Sequence, residues 1–98
     1  MNLTIKEQDE TIVTRISGRF DTAAAQEVDM QPLIQLADKK IIFDCAEMEF
    51  ISSAGLRQLL TLYRECKAKN GEIVMRNVAP GVMRVFQVAG FKPLFAFE

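Results

Sequence analysis

Lys39-Lys40-Ile41-Ile42-Phe43-Asp44-Cys45-Ala46-Glu47-Met48-Glu49-Phe50-Ile51-Ser52-Ser53-Ala54-Gly55-Leu56-Arg57 reads as a strand, a turn and the start of a helix. The unbroken apolar run Ile41-Ile42-Phe43, closed by Asp44, predicts a strand buried on both faces. The chain then turns through Cys45 to Ile51. Beyond the serines, apolar residues fall at Leu56, Leu59, Leu60, Tyr63 and Cys66, the three-and-four spacing of a helix with one buried face. Ser52 or Ser53 therefore stands at or near the helix N-cap. A serine oxygen there accepts from a backbone N–H left free at the helix start and is worth about 1 kcal/mol against alanine. The same free N–H groups, with the positive end of the helix dipole, favour an anion. Capping is one reading of this pair of hydroxyls; a phosphate acceptor is the other.

Working outward toward the N-terminus, Leu3-Thr4-Ile5-Lys6 alternates, Glu7 to Glu10 is a polar turn, and Thr11 to Ile16 resumes a β-branched pattern, which together predict a hairpin. Ser17-Gly18-Arg19-Phe20-Asp21 breaks the strand, and Asp21 or Thr22 can cap a helix that runs through Ala23, Ala24 and Ala25. Pro32 cannot sit inside a helix without a cost of about 3 kcal/mol, so a kink or restart is expected between Asp29 and Leu33. Toward the C-terminus, Asn70-Gly71 is a helix stop and Glu72 to Met75 a strand. Pro80 opens a short helix with Val82, Val85, Phe86 and Ala89 facing inward, Gly90 ends it, and Phe91 to Phe97 can give a last short strand. The order is β-β-α-β-α-β-α-β. It implies an α/β fold with a mixed sheet of four to five strands: an antiparallel hairpin leading into parallel strands joined by right-handed crossovers, with helices packed on the sheet.

A chain of 98 residues with 49% apolar content supports one domain, spanning 1–98, with room for a single core. A net charge of −1 offers no cationic surface for neutralising phosphates, which argues against direct nucleic-acid binding. Cys45 and Cys66 have no CxxC spacing and there is no histidine, so metal and redox sites lack their ligands and both thiols read as buried small hydrophobes. Charges near the N-terminus occupy the place of a signal peptide's apolar stretch, and no apolar run reaches membrane-spanning length. The expectation is a cytoplasmic monomer without membrane insertion, cofactor or metal.

Gly18-Arg19-Phe20-Asp21, Phe43-Asp44, the block Phe50 to Leu56, Gly71-Glu72-Ile73-Val74 and Pro80 to Gly90 together resemble the STAS domain of bacterial anti-sigma factor antagonists over nearly the whole chain. The resemblance implies a small α/β domain that binds an anti-sigma factor, itself a serine kinase using ATP, and so releases a sigma factor. Phosphorylation of one serine ends the binding and a serine phosphatase restores it. In the family pattern the acceptor lies two positions before a Gly-Leu pair, which here is Ser53, with Ser52 beside it where aspartate is frequent and Ala54 where a second hydroxyl is frequent.

The residues expected at the partner-binding face are Asp21, Met48, Ser52, Ser53 and Arg57. Asp21 reads either as a helix cap or as a contact beside Ser53. Met48 and Phe50 could form an apolar contact patch, although Phe50 next to Ile51 also suits the core. Arg57 and Arg64 fall outside the buried stripe. Glu47 and Glu49 mimic an acid/base pair, yet without histidine, a metal cluster or a Gly-rich phosphate loop no catalytic residue is assigned. The alternative function is a non-enzymatic STAS subunit of a transport or other signalling complex that is never phosphorylated. A nucleotide-binding enzyme is disfavoured by the single glycine of Ser17-Gly18-Arg19-Phe20.

Overall fold

Asp9 takes a left-handed φ of 56° and turns the chain so that Gln8 pairs with Thr11 in an antiparallel hairpin of β1 (Asn2–Gln8) and β2 (Thr11–Phe20). The rest of this computed structural model, which describes Met1 to Glu98, follows as α1 (Thr22–Glu27), α2 (Gln31–Ile34), β3 (Lys40–Ile51), α3 (Ser53–Ala68), β4 (Glu72–Arg76), α4 (Pro80–Val88) and β5 (Ala96–Phe97). The five strands lie in the order β1-β2-β3-β4-β5, with every pair after the first parallel. This is the mixed α/β sheet expected from the alternation of elements. The break at Pro32 resolves as a restart: the proline occupies the first turn of α2, where its missing N–H costs nothing.

A sheet whose strands follow chain order needs every crossover to pass over the same face. Accordingly, Ala24, Leu33, Leu59, Leu62 and Phe86 from the helices join Ile12, Ile16, Ile41, Phe43, Ile73 and Met75 from the strands in one buried cluster. The alternate strand residues face the other way, outside that cluster: Ile42 and Val74 are buried there, and Arg15 pairs with Asp44 at 3.3 Å. The inward stripe of α3 is Gly55, Leu56, Leu59, Leu62 and Cys66, so Leu60 and Tyr63, expected inside, are half-buried at its margins. In α4, Val82 and Phe86 are buried, Val85 is half-buried and Ala89 is exposed.

Two strands are longer than their residues announce. Ser17 and Gly18 do not break β2, and the expected turn from Cys45 to Ile51 is strand. The register shows why. Arg15 pairs with Asp44 but Ser17 with Glu47, and Gly18 pairs with Met48 but Arg19 with Phe50, so β3 carries an extra residue at each step. Two bulges turn the buried set of β3 to Cys45, Met48 and Ile51, a period of three that no strand template recognises. Gly18, opposite the bulged segment, has φ of 87°, a conformation that a side chain would strain. Conversely, the last strand is only Ala96–Phe97. Pro93 lies in a turn, and the tail is held by Phe95, whose ring meets Tyr63 at 5.5 Å and Phe86 at 5.9 Å edge-on.

Candidate functional site

The extension of β2 and β3 past the end of β4 sets the site. Phe20 and Ile51 are partners in the register, and each is followed at once by a helix cap: Asp21 for α1 and Ser52 for α3. Two helix starts are thereby fixed side by side at the carboxyl ends of neighbouring parallel strands, the position where α/β folds assemble functional groups. The Asp21 carboxylate accepts from the Ala24 N–H at 2.9 Å. The Ser52 hydroxyl accepts from the Gly55 N–H at 3.2 Å and donates to the Phe20 carbonyl at 3.2 Å, while the Ser52 N–H donates to that same carbonyl at 2.9 Å. Gly55 is required for this fit, since a Cβ there would stand 2.8 Å from the Phe20 oxygen and 3.0 Å from the Ile51 side chain.

Two neighbouring hydroxyls thus stand in different surroundings. Both hydroxyl hydrogen bonds at the junction belong to Ser52, which is half-buried. Ser53 is the first residue inside α3 and is exposed. Beside it, a cleft of about 420 Å³ separates the start of α3 from α4, lined by Ser53, Leu56, Gly81, Arg84, Val85 and Val88. On the other flank a polar groove of about 450 Å³ runs between α1 and α3, bordered by Thr22, Gln26, Arg57 and Gln58. Gln58 ties the two helices by donating to the Ala25 carbonyl at 2.8 Å.

The structure brings Asp21, Ser52, Ser53 and the exposed Arg57 to one end of the molecule and removes Met48 from the surface. Met48 is only 2% exposed, inside the core cluster, because the bulges of β3 rotate it inward; it cannot supply the contact patch expected of it. Phe50 is half-buried, and the guanidinium of exposed Arg19 lies 4.3 Å from its ring centroid. Glu47 and Glu49 are exposed. Burial pushes the Cys45 thiol up to about 12, with the Asp44 charge adding to it, and the Cys66 thiol up to about 11, so neither is a nucleophile near neutral pH. No group of three or more potential metal ligands gathers in the fold, and no helix is long and apolar enough to cross a membrane.

The STAS domain profile matches residues 2–98. The chain belongs to the STAS domain family. It is 28% identical over 97 residues to the Bordetella bronchiseptica protein BtrV, whose name describes an anti-sigma factor antagonist, covering 97% of this chain and 84% of that one. An anti-sigma F factor antagonist of Paenibacillus polymyxa is 30% identical, with 92% of this chain and 81% of the relative aligned. Among solved structures, the Bacillus cell fate determinant SpoIIAA in its phosphorylated form superposes with a TM-score of 0.72 at 25% identity, covering 99% of this chain and 91% of its own.

Two features of this STAS domain were not singled out from residue order alone. In residue order Gly55 is only half of a Gly-Leu pair, whereas its missing side chain lets α3 close on β2. The α4 wall of the cleft, Arg84 with Val88, is the other. A signal existed in the residue order: Val88 follows Arg84 by four positions and is an apolar residue out of phase with the Val82–Phe86 stripe, and in the fold it is 81% exposed.

Proposed function

We propose that this STAS domain is an anti-sigma factor antagonist whose binding to an anti-sigma factor serine kinase is switched off by phosphate on Ser53 and restored by a serine phosphatase. The observation that carries the reading is the division of labour between the serines: the Ser52 hydroxyl is committed to the cap and to the Phe20 carbonyl, and Ser53 is exposed one residue further on. In the transfer, Ser53 Oγ bonds to the γ-phosphorus of ATP as the bond to the β-phosphate oxygen breaks, ADP leaves, and the hydroxyl proton passes to a base of the kinase. The phosphatase reverses the result by hydrolysis, returning the hydroxyl and inorganic phosphate. The domain supplies a positioned acceptor and no catalytic group.

The helix start tolerates the product. Phosphoserine adds about −1.5 to −2 charges, which lie at the positive end of the α3 dipole, so the fold need not open. A partner seated over Asp21, Ser53 and Arg57 would have to desolvate that dianion. A loss of about 2.7 kcal/mol weakens binding roughly a hundredfold. Phosphosite mapping after incubation with the cognate kinase and ATP tests the assignment: modification at Ser53 is expected, and modification at Ser52 alone would overturn it. Ser53→Ala is expected to bind the kinase and resist switching, whereas Ser53→Asp folds and binds weakly. Parent-level affinity in both variants would exclude a charge-based switch at this residue.

A further inference from the structure

Arg84 is an exposed cation without a partner. The ion pairs of the fold are Arg15 with Asp44, Lys39 with Glu10 and Arg76 with Glu98, and the Arg84 side chain enters neither these nor any hydrogen bond. It stands on α4 across the cleft of about 420 Å³ from Ser53, and no carboxylate lines that cleft. Between the two, the surface is apolar, formed by Leu56, Val85 and Val88. The other charged groups at the junction are engaged or placed elsewhere. The Asp21 carboxylate caps α1, and Arg57, one turn further along α3, borders the polar groove on the opposite flank. An arginine outside every ion pair and an exposed serine therefore line opposite walls of one largely apolar cleft.

Resting on the reading of Ser53 as a phosphate acceptor, we propose that Arg84 is the counter-cation of phosphoserine 53, and that the contact between them bridges α3 and α4 across the cleft. Arginine suits the task, because its planar fork matches two phosphate oxygens at once and it stays charged at any physiological pH. The bridge adds a second effect to the change of charge. In the unmodified protein half-buried Val85 and exposed Val88, beside the buried Leu56, are open to an apolar side chain of the binding partner. In the phosphorylated protein the clasp lies over them, so the partner loses its apolar seat as well as meeting a dianion. Phosphate would act as a cover, and Arg84 as its latch.

The experiment uses the full chain with phosphoserine incorporated at position 53 during synthesis, followed by 31P NMR titration. The second ionisation of phosphoserine lies near about 6, and a cation at contact distance lowers it. Arg84→Gln is expected to raise the midpoint by roughly half a unit or more relative to the parent, Arg84→Lys to keep part of the effect, and Arg57→Gln to change it less than Arg84→Gln does. Val85 and Val88 methyl resonances are expected to shift on phosphorylation in the parent, with the shift lost in Arg84→Gln. An Arg84→Gln titration that superposes on the parent curve would overturn the proposal, as would the larger change appearing in Arg57→Gln. Because the phosphate is installed without a kinase, the two readings fail separately. Native protein lacking phosphate would sink the switch, whereas an unaltered titration would sink only the latch.

Discussion

The two helices that wall the cleft begin in opposite ways. The start of α3 is wired: Ser52 caps it with its side chain, the Phe20 carbonyl takes two hydrogen bonds from Ser52, and Gly55 is pressed so close to β2 that no Cβ fits. The start of α4 is loose. Its N-cap, Ala79, makes no side-chain hydrogen bond, Pro80 supplies only a preset φ, and a Cβ on Gly81 would meet nothing within 4 Å. Ser53, the proposed acceptor, belongs to the wall held by directional bonds, and Arg84 to the wall whose start has no side-chain cap and which packs through Val82, Val85 and Phe86. Hydrogen bonds fix a position, whereas apolar contact fixes only a distance of approach. Under the proposed switch, a phosphate on the first wall would have a fixed address, and the second wall would keep room to adjust toward it.

The contrast is broken most severely at its glycines. Gly55→Ala pushes a methyl into the Phe20 carbonyl and the Ile51 side chain, and is expected to destabilise the domain by about 1–3 kcal/mol in urea unfolding. Next in size, Ser52→Ala removes the cap and one donor to Phe20 and should cost about 1–2 kcal/mol, while Ser53→Ala stays within about 0.5 kcal/mol of the parent. Equal losses from the two serines would erase the distinction between them. That pair also corrects the simpler expectation from residue order, which left the cap open to either serine.

A smaller effect tests the base of the β2–β3 extension. Burial alone would push the Asp44 carboxyl up, but the Ala46 N–H, Asn77 and the Arg15 guanidinium hold it below its ordinary value of 3.8. The unfolded chain then binds the proton more readily than the folded one. The stabilisation is complete above about pH 4–5 and is lost as pH falls through the folded-state value. Arg15 is 56% exposed at its side chain, so solvent screening keeps its share modest. Thermal melts of the parent from pH 6 to 2 should show an acid-side loss that Asp44→Asn flattens. At the small end, Gly81→Ala on the loose wall is expected to be neutral or to gain up to about 1 kcal/mol, since it adds helix propensity and meets open space. A loss there comparable with Gly55→Ala would mean that the α4 start is as constrained as the α3 start.

Residue order revealed the parts whose signals are local. The hairpin, the α3 stripe, the Asn70-Gly71 stop and the restart at Pro32 each rest on a repeat or a turn residue within a few positions. Asn70 does take a left-handed φ of 60°, with Gly71 N–H donating to the Cys66 carbonyl at 2.8 Å. What stayed hidden depends on pairing. The bulges of β3 exist only relative to β2, and without them Cys45, Met48 and Ile51 share no strand face. Met48 therefore read as surface, and the second half of β3 as a turn. The same holds for the site. Ser53 was legible from its neighbours, but Arg84 lies 31 positions away and comes to line the same cleft only once α4 has packed.

The sharing of one carbonyl by the N–H and the hydroxyl of Ser52 also bears on substrate choice. That oxygen belongs to Phe20, 32 positions earlier, so the cap and its anchor exist together only when β2 and β3 are paired. In a short peptide carrying Phe50 to Leu56, or on a chain still emerging from synthesis, both serines are equally free. Under the proposed switch, discrimination between them would be a property of the folded state and not of the local sequence. A kinase that marked Ser53 on this surface would certify, in the same act, that the domain it marks has already folded.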